Sequence, residues 1–262
     1  MGLAQFFAGS ARKRATVPRG VRVYAIGDIH GRDDLLEELL EKIERELVVR
    51  PVRRPIVVFL GDLIDRGPSS REVVERLRTL HLASAQLIFL AGNHEEALLR
   101  VIDGEYRLAP DWLRFGGREC LDSYGVDGRS VSAMEPRDAA RAIRRAIPAE
   151  HVKFLRGFGD TASIGDYLFV HAGIRPGVPL ARQSQADLRW IRRAFLDDPR
   201  DHGVVVVHGH TITTLVDDAG NRIGIDTGAY RSGILTAMAL EGDQRRYIQT
   251  GGNKPLGSTS QG

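Results

Sequence analysis

The sequence predicts an α/β fold built on a parallel sheet, and three observations carry that expectation. First, the runs 21–26, 55–60 and 86–90 are short and apolar, long enough for one buried strand and too short for a free helix. Second, strand and helix patterns alternate along this part of the chain, which implies right-handed crossovers. Third, five apolar runs end in loops that open with metal-ligand residue types. Parallel strands deliver their carboxyl ends to one edge, where ligands bind in open α/β sheets.

The elements follow in order. The first strand ends at Gly27-Asp28-Ile29-His30-Gly31. Asp33 and Asp34 then open a helix, where negative charge suits the N-terminal dipole. Its Leu35, Leu36, Leu39, Leu40, Ile43 and Leu47 keep helical spacing, so it covers the sheet. The strand at 55–60 stops at Gly61, because Gly61-Asp62 and Arg66-Gly67-Pro68 are turn chemistry. Asp62, Asp65 and Arg66 are therefore held on one tight loop, and burying such charges without partners would be costly. A helix over 70–80 turns Val73, Val74 and Leu77 inward, and the strand at 86–90 runs into Ala91-Gly92-Asn93-His94-Glu95.

From about 105 to 150 the pattern changes. Trp112, Gly116-Gly117, Tyr124-Gly125 and an arginine-rich run over 137–147 predict a mostly helical insertion, placed over the site. Strands resume at 167–170, leading into His171-Ala172-Gly173, and at 203–207, leading into His208-Gly209-His210-Thr211. The runs 222–226 and 234–240 are expected to close a second sheet. Residues 1–20 form a loose arm and 251–262 a disordered tail, leaving 21–250 as the folded domain.

Composition narrows the function classes. With 262 residues, 42% of them hydrophobic, the chain can bury one large core. No apolar run approaches the roughly 18 residues of a membrane span. Arg12, Lys13 and Arg14 follow the apolar residues of the arm, the reverse of a secretory signal. The alternative role for the arm is surface attachment through Phe6, Phe7 and that triplet. The single cysteine, Cys120, excludes an internal disulfide framework and suits a reducing cytosol, so a cytoplasmic protein is expected. A net charge of +3 and a pI near 9.2 are spread over arginines such as Arg141, Arg144, Arg145, Arg192 and Arg193. That favours anionic partners in general and does not single out nucleic acid. A monomer is compatible with all of this.

A lone histidine after a strand is more often a satisfied core residue than a ligand. Here five loops carry Asp28/His30, Asp62/Asp65, Asn93/His94, His171 and His208/His210. Carboxylate, imidazole and amide oxygen together suit a borderline divalent ion such as manganese, iron or zinc, whereas an all-oxygen set would suit magnesium or calcium. There are enough ligands for two ions, which lie about 3.5–4 Å apart when they share a carboxylate.

Gly27-Asp28-Ile29-His30-Gly31, Gly61-Asp62-Leu63-Ile64-Asp65-Arg66-Gly67 and Gly92-Asn93-His94-Glu95 resemble the three signatures of the phosphoprotein phosphatase branch of the calcineurin-like metallophosphoesterases. His171-Ala172-Gly173 and Gly209-His210-Thr211 resemble its later histidine loops. Asp226-Thr227-Gly228-Ala229 resembles the segment that follows in bacterial and phage members. The resemblance spans about 21–240, with the insertion matching loosely through Trp112-Leu113 and Gly116-Gly117. It implies a four-layer αββα sandwich and two divalent ions, manganese first, with iron or zinc as alternatives. It further implies that Asp28 and His30 bind the first ion, Asp62 bridges both, and Asn93, His171 and His210 complete the second. Ile212 stands where the wider superfamily has a further histidine ligand, and His208 reads as structural. Arg66 and Arg192, the latter in Trp190-Ile191-Arg192, would clamp phosphate together with Asn93. His94, oriented by Asp65, would be the general acid for in-line attack by a metal-bridging hydroxide.

The implied substrate is a phosphoserine or phosphothreonine protein, with symmetrical dinucleoside polyphosphate hydrolysis as the alternative. The intact Gly-Asp-x-x-Asp-Arg-Gly motif favours the phosphoprotein, because the central motif of the dinucleotide class often lacks the aspartate found at Asp65. A non-catalytic metal-binding scaffold would lack a ligand or an acid, and none is missing.

Overall fold

The computed structural model describes residues 14–82 and 84–251. Within them lie two five-stranded sheets flanked by helices, a mixed α/β fold. The first sheet is nucleated by β1 (Val21–Ile26), β2 (Arg54–Phe59) and β3 (Gln86–Phe89), which pair in parallel. Their crossovers are α1 (Asp33–Val49) and α2 (Ser70–Arg78), and α3 (Asn93–Ile102) follows β3. The second sheet has the order β4 (Thr161–Ile164), β5 (Tyr167–Val170), β6 (Val205–His208), β8 (Arg222–Gly224), β7 (Asp217–Asp218).

Alternation of side chains along β1 and β2 sorts them into two cores. Val23, Ala25, Ile56 and Val58 point between the sheets and meet Tyr167, Phe169, Val207 and Ile223. Tyr24, Ile26, Val57 and Phe59 point the other way, against Leu36, Leu39 and Ile43 of α1 and Val73, Val74 and Leu77 of α2. The outer face of the second sheet, Leu168, Val170 and Val206, is covered by Leu188, Ile191 and Phe195. Leu188 belongs to α9 (Gln185–Trp190) and Phe195 to α10 (Arg193–Leu196). Helix, sheet, sheet and helix are the four layers expected.

Two expectations change, and one strand was not foreseen. The run at 234–240 does not join the second sheet: β9 (Thr236–Glu241) pairs antiparallel with β1, Tyr24 opposite Ala239. Its apolar residues serve both cores, Ala237 and Ala239 one and Met238 and Leu240 the other, and either sheet could have used such a strand. A following edge strand, β10 (Gln244–Gln249), is too polar to have been visible. The arm is fixed from Ala15 onward. Ala15 accepts a hydrogen bond from the Tyr167 hydroxyl at 3.2 Å, Thr16 donates to Asp166, and Val17, 3% exposed, plugs the inter-sheet core. Residues 1–13 and 252–262, and with them the proposed roles of Phe6 and Phe7, lie outside the described residues.

The segment from 109 to 156 is largely helical. It comprises α4 (Ala109–Trp112), a π-turn (Leu113–Gly117), α5 (Arg118–Ser123), α6 (Gly128–Ser132), α7 (Pro136–Ala146) and α8 (Ala149–Arg156).

Candidate metal centre

The carboxyl ends of β1, β2, β3, β5 and β6 converge, and their loops are bolted to one another through the backbone. Ile29 and His30 donate N–H bonds to Asp62 O at 3.1 and 2.9 Å, and Gly209 donates to His171 O at 2.8 Å. Two contacts tie the sheets together: His171 Nδ1–H donates to Leu60 O at 2.9 Å, and His210 N–H donates to the Asp28 carboxylate at 3.1 Å. Two glycines let the loops close this far. A Cβ on Gly92 would lie 2.1 Å from Asp62 Oδ1, and one on Gly209 would lie 2.0 Å from Asp28 Oδ1.

Asp62 is the centre of the arrangement. Its Oδ2 lies 3.6 Å from His30 Nε2 and 3.5 Å from His171 Nε2. Two groups of possible ligands share it, His30/Asp62/His94 and Asp62/His171/His210. Asn93 joins the second, its Oδ1 being 3.0 Å from His171 Nε2. Asp28 falls in neither group. Its buried carboxylate neighbours Asp226 and feels the charge of Asp62. Five of the six expected ligands thus gather at one buried spot, and Asp28 lies on its margin.

Every non-glycine residue with positive φ among the described residues belongs to this constellation: His30, Asp62, Asp65, Arg66 and His210. Such left-handed residues cost of order 1–3 kcal/mol each and persist where the surroundings over-determine them.

The donors suit divalent metal. His30 Nδ1–H donates to Ile64 O at 2.8 Å and His171 Nδ1–H to Leu60 O, so both rings turn Nε2 lone pairs toward Asp62. Among the described residues the buried His210 Nε2 and Asp226 Oδ2 have no hydrogen-bond partner. Burial pushes His30, His171 and His210 down, the last to about 2, so these rings are neutral at pH 7 as ligands must be. Burial would raise Asp62, but the surrounding imidazoles, His171 first, outweigh it and hold it well below the usual carboxylate range. Neutral rings cannot supply that positive potential, whereas a bound cation can. Burial, then Asp226 and Asp62, drive Asp28 well up, which is again the signature of carboxylates gathered without a counter-charge.

A model of the calcineurin-like phosphoesterases matches residues 21–231, all the loops just described. The chain belongs to that family. Curated relatives of this phosphoesterase include a symmetrical bis(5'-nucleosyl)-tetraphosphatase of Xanthomonas axonopodis pv. citri, 25% identical over 88% of this chain and 86% of the relative. Another is an asymmetrical bis(5'-nucleosyl)-tetraphosphatase PrpE of Anoxybacillus flavithermus, 26% identical over 81% of this chain and 88% of that protein. Among solved structures, a protein provisionally described as a diadenosine tetraphosphatase superposes with TM-score 0.62 at 22% identity, covering 90% of this chain and 98% of that one. A cold-active protein-tyrosine phosphatase of a Shewanella species superposes at 0.52 and 18% identity, over 89% and 83% of the two chains. These structural likenesses speak for the fold alone. The family uses divalent metal ions, and the two clusters sharing Asp62 are fit to hold them.

The other expected residues of the phosphoesterase site fall around this centre. His94 Nδ1 and Asp65 Oδ2 are 2.6 Å apart and buried. Arg66 spans the two rings, Nη1 being 2.9 Å from His30 Nε2 and Nη2 2.9 Å from His94 Nε2, with its guanidinium 5.0 Å from the centre of the Tyr230 ring. Arg192 is exposed, and its charge reaches His210. Its neighbour Arg189 is committed to Asp160 and Glu96, while the Arg192 guanidinium has no ion-pair or hydrogen-bond partner among the described residues. His208 lies outside both ligand groups. It packs edge-on to Phe195 at 5.3 Å and is pushed down to about 4 by burial, as a structural histidine.

Two residues gained no role from sequence. Glu95 accepts N–H bonds from Asp62 at 2.9 Å, Leu63 at 2.8 Å and Gly92 at 2.9 Å, clamping the central loop to the first turn of α3. Burial, then Asp62, raise it to about 7. A glutamate three residues after a glycine that opens a helix, placed to accept the N-cap N–H, is the local signal that could have found it. Asp226 stood only inside a motif; its Oδ1 accepts from Gly228 N–H at 2.9 Å, and burial raises it to about 6.

Proposed function

We propose that this phosphoesterase hydrolyses a phosphoanhydride bond of dinucleoside polyphosphates. The observation that carries the reading is the extent of the curated relatives. Proteins named bis(5'-nucleosyl)-tetraphosphatases align over 88% and 81% of the chain.

Two divalent ions, when bound, lower the pKa of a bound water to about 7 and polarise the phosphoryl oxygens. Asp28, His30, Asp62, Asn93, His171 and His210 would hold them, and manganese is the ion we propose for this mixed nitrogen and oxygen set. Arg66 and Arg192 bind the oxygens of the attacked phosphate, their guanidinium forks matching two oxygens at a time. Arg192 reaches out from the rim and is free to meet the second half of a polyphosphate chain. His94 gives its Nε2 proton to the departing oxygen, and Asp65 holds the ring at Nδ1 and favours its charged form.

The preference for phosphoproteins rested on Asp65. In the fold that residue serves His94, and a proton donor helps any poor leaving group, so Asp65 does not by itself choose between substrates. Hydrolysis of phosphomonoesters on proteins is the second reading; a serine or threonine alkoxide is the leaving group that would draw most on a proton from His94, whose Nδ1 lies 2.6 Å from Asp65 Oδ2.

The test is a turnover panel on chelated protein reloaded with manganese, using diadenosine tetraphosphate, a phosphoserine peptide and a phosphodiester. The tetraphosphate is expected to show the highest kcat/KM. Two nucleoside diphosphates would mark symmetrical cleavage, and a monophosphate with a triphosphate the asymmetrical kind. A higher kcat/KM on the phosphopeptide would replace the first reading by the second.

A further inference from the structure

The helical insertion grips the central loop through its π-turn. Arg66 N–H donates to Gly116 O at 3.1 Å, and Gly116, at φ 121°, leaves no room for a side chain, since a Cβ would lie 2.6 Å from Arg66 N. Gly117 is the floor under the Trp112 ring, where a Cβ would come within 2.5 Å of the indole. The indole is thereby pressed, 3% exposed, into the core beside the loop that carries Asp65.

Few buried side-chain polar atoms of the described residues lack a hydrogen-bond partner, and two of them are Trp112 Nε1 and Asp65 Oδ1. An indole N–H can only donate and a carboxylate oxygen can only accept. The two groups are close enough for the indole to pull the Asp65 carboxyl down against the stronger upward push of burial. A buried donor and a buried acceptor left unpaired each carry a desolvation cost that a bond between them would remove. Two further groups beside Asp65 are neutral: Ser70 Oγ accepts its backbone N–H at 2.9 Å, and the buried Cys120 thiol lies next to the carboxylate.

We propose that Trp112 is a positioning residue for the proton donor, its indole N–H closing on Asp65 Oδ1 so that Oδ2 stays aimed at His94 Nδ1. The proposal rests on the roles given above to His94 and Asp65. With Oδ1 held, the carboxylate cannot turn away from the ring. A neutral donor does this without cancelling the charge of Asp65. An arginine or lysine in its place would neutralise the carboxylate and weaken its hold on a protonated imidazole. The insertion then supplies part of the acid machinery as well as cover.

The chain has two tryptophans, Trp112 and Trp190, so their indole N–H signals in a zinc-loaded, nitrogen-15-labelled sample are readily told apart. Asp65→Asn is expected to move the Trp112 signal upfield and speed its exchange with solvent, leaving Trp190, which donates to Glu96, in place. Trp112→Phe, which keeps a ring and removes the donor, is expected to lower kcat on a phosphoserine peptide about five- to tenfold, the worth of one net hydrogen bond. KM and metal content should hold, and the loss on p-nitrophenyl phosphate should be small. Trp112→Phe on top of Asp65→Asn should add nothing. An unmoved Trp112 signal in Asp65→Asn overturns the contact, and equal losses on both substrates overturn the positioning role. If Trp112→Phe does not fold, the signal in Asp65→Asn still decides. If His94→Asn shows no dependence on leaving group, the acid assignment has failed, while the indole signal reports separately on the contact.

Discussion

Asp65 Oδ2 sits 2.6 Å from His94 Nδ1, both side chains buried, one in the loop after β2 and the other in the first turn of α3. The pair leaves His94 Nε2 on the side of Asp62 Oδ2, 3.9 Å away, and there it accepts from Arg66 Nη2 at 2.9 Å, so Arg66 must turn to the phosphate before Nε2 can carry a proton. Such a donor matters in proportion to how badly the leaving oxygen needs a proton, and general acids typically supply about 10²–10⁴-fold. His94→Asn should therefore lose far more rate on a phosphoserine peptide than on p-nitrophenyl phosphate, with metal content unchanged. Equal losses on the two, measured at saturating metal, would leave His94 a phosphate-positioning residue.

The pH profile should carry the same signature. Burial pulls the His94 imidazole down, but the Asp62 and Asp65 carboxylates outweigh it, and the net shift is upward from 6.5. The donor thus stays protonated above pH 6.5, and turnover of a poor leaving group falls only as pH rises through that raised pKa. Asp65→Asn removes part of the upward push, so its alkaline limb should move to lower pH. An alkaline limb at the same pH in both proteins would contradict the assignment.

Metal content separates the two aspartates of the central loop. Asp62→Asn should lose bound manganese, because Asp62 is shared by both ligand groups, whereas Asp65→Asn should keep it. Gly209→Ala should resemble Asp62→Asn, since the new Cβ would lie 2.0 Å from Asp28 Oδ1 and must displace that carboxylate or the His210 loop. Elemental analysis after gel filtration reads all three, and full manganese in Gly209→Ala would mean that Asp28 is no ligand.

Arg192 and Arg189 should part company. A charge-assisted hydrogen bond is worth about 1.5–3 kcal/mol, so Arg192→Ala should cost roughly ten- to hundredfold in kcat/KM on the tetraphosphate with no change in Tm. Arg189→Ala removes the guanidinium that Asp160 and Glu96 share and should lower Tm instead. A lower Tm in Arg192→Ala with unchanged kcat/KM would remove it from the phosphate site.

The strands that carry ligands were legible because each is a buried apolar run stopped by a glycine turn, as at Leu60-Gly61-Asp62. What the linear pattern hid has one physical cause. Sheet membership of β9 and the grip of Trp112 on the Asp65 loop are decided by contacts between residues far apart in sequence. Periodicity reports only on a segment's own faces. Asp226 escaped for a related reason, since its partner Asp28 lies at the far end of the domain and nothing near it in sequence marks it as more than a turn residue. Glu95 was the one oversight that local reasoning could have avoided.

The five left-handed residues set stability and activity at odds. An L-residue pays about 1–2 kcal/mol to stand in that region, and glycine stands there almost free. Substituting glycine at His30, Asp62, Asp65, Arg66 or His210 would relax the backbone while deleting a proposed ligand, the support of the proposed acid or the proposed phosphate clamp. A library of this protein screened for heat resistance alone should therefore drift toward glycine at those five codons, and its winners would melt later and turn over nothing.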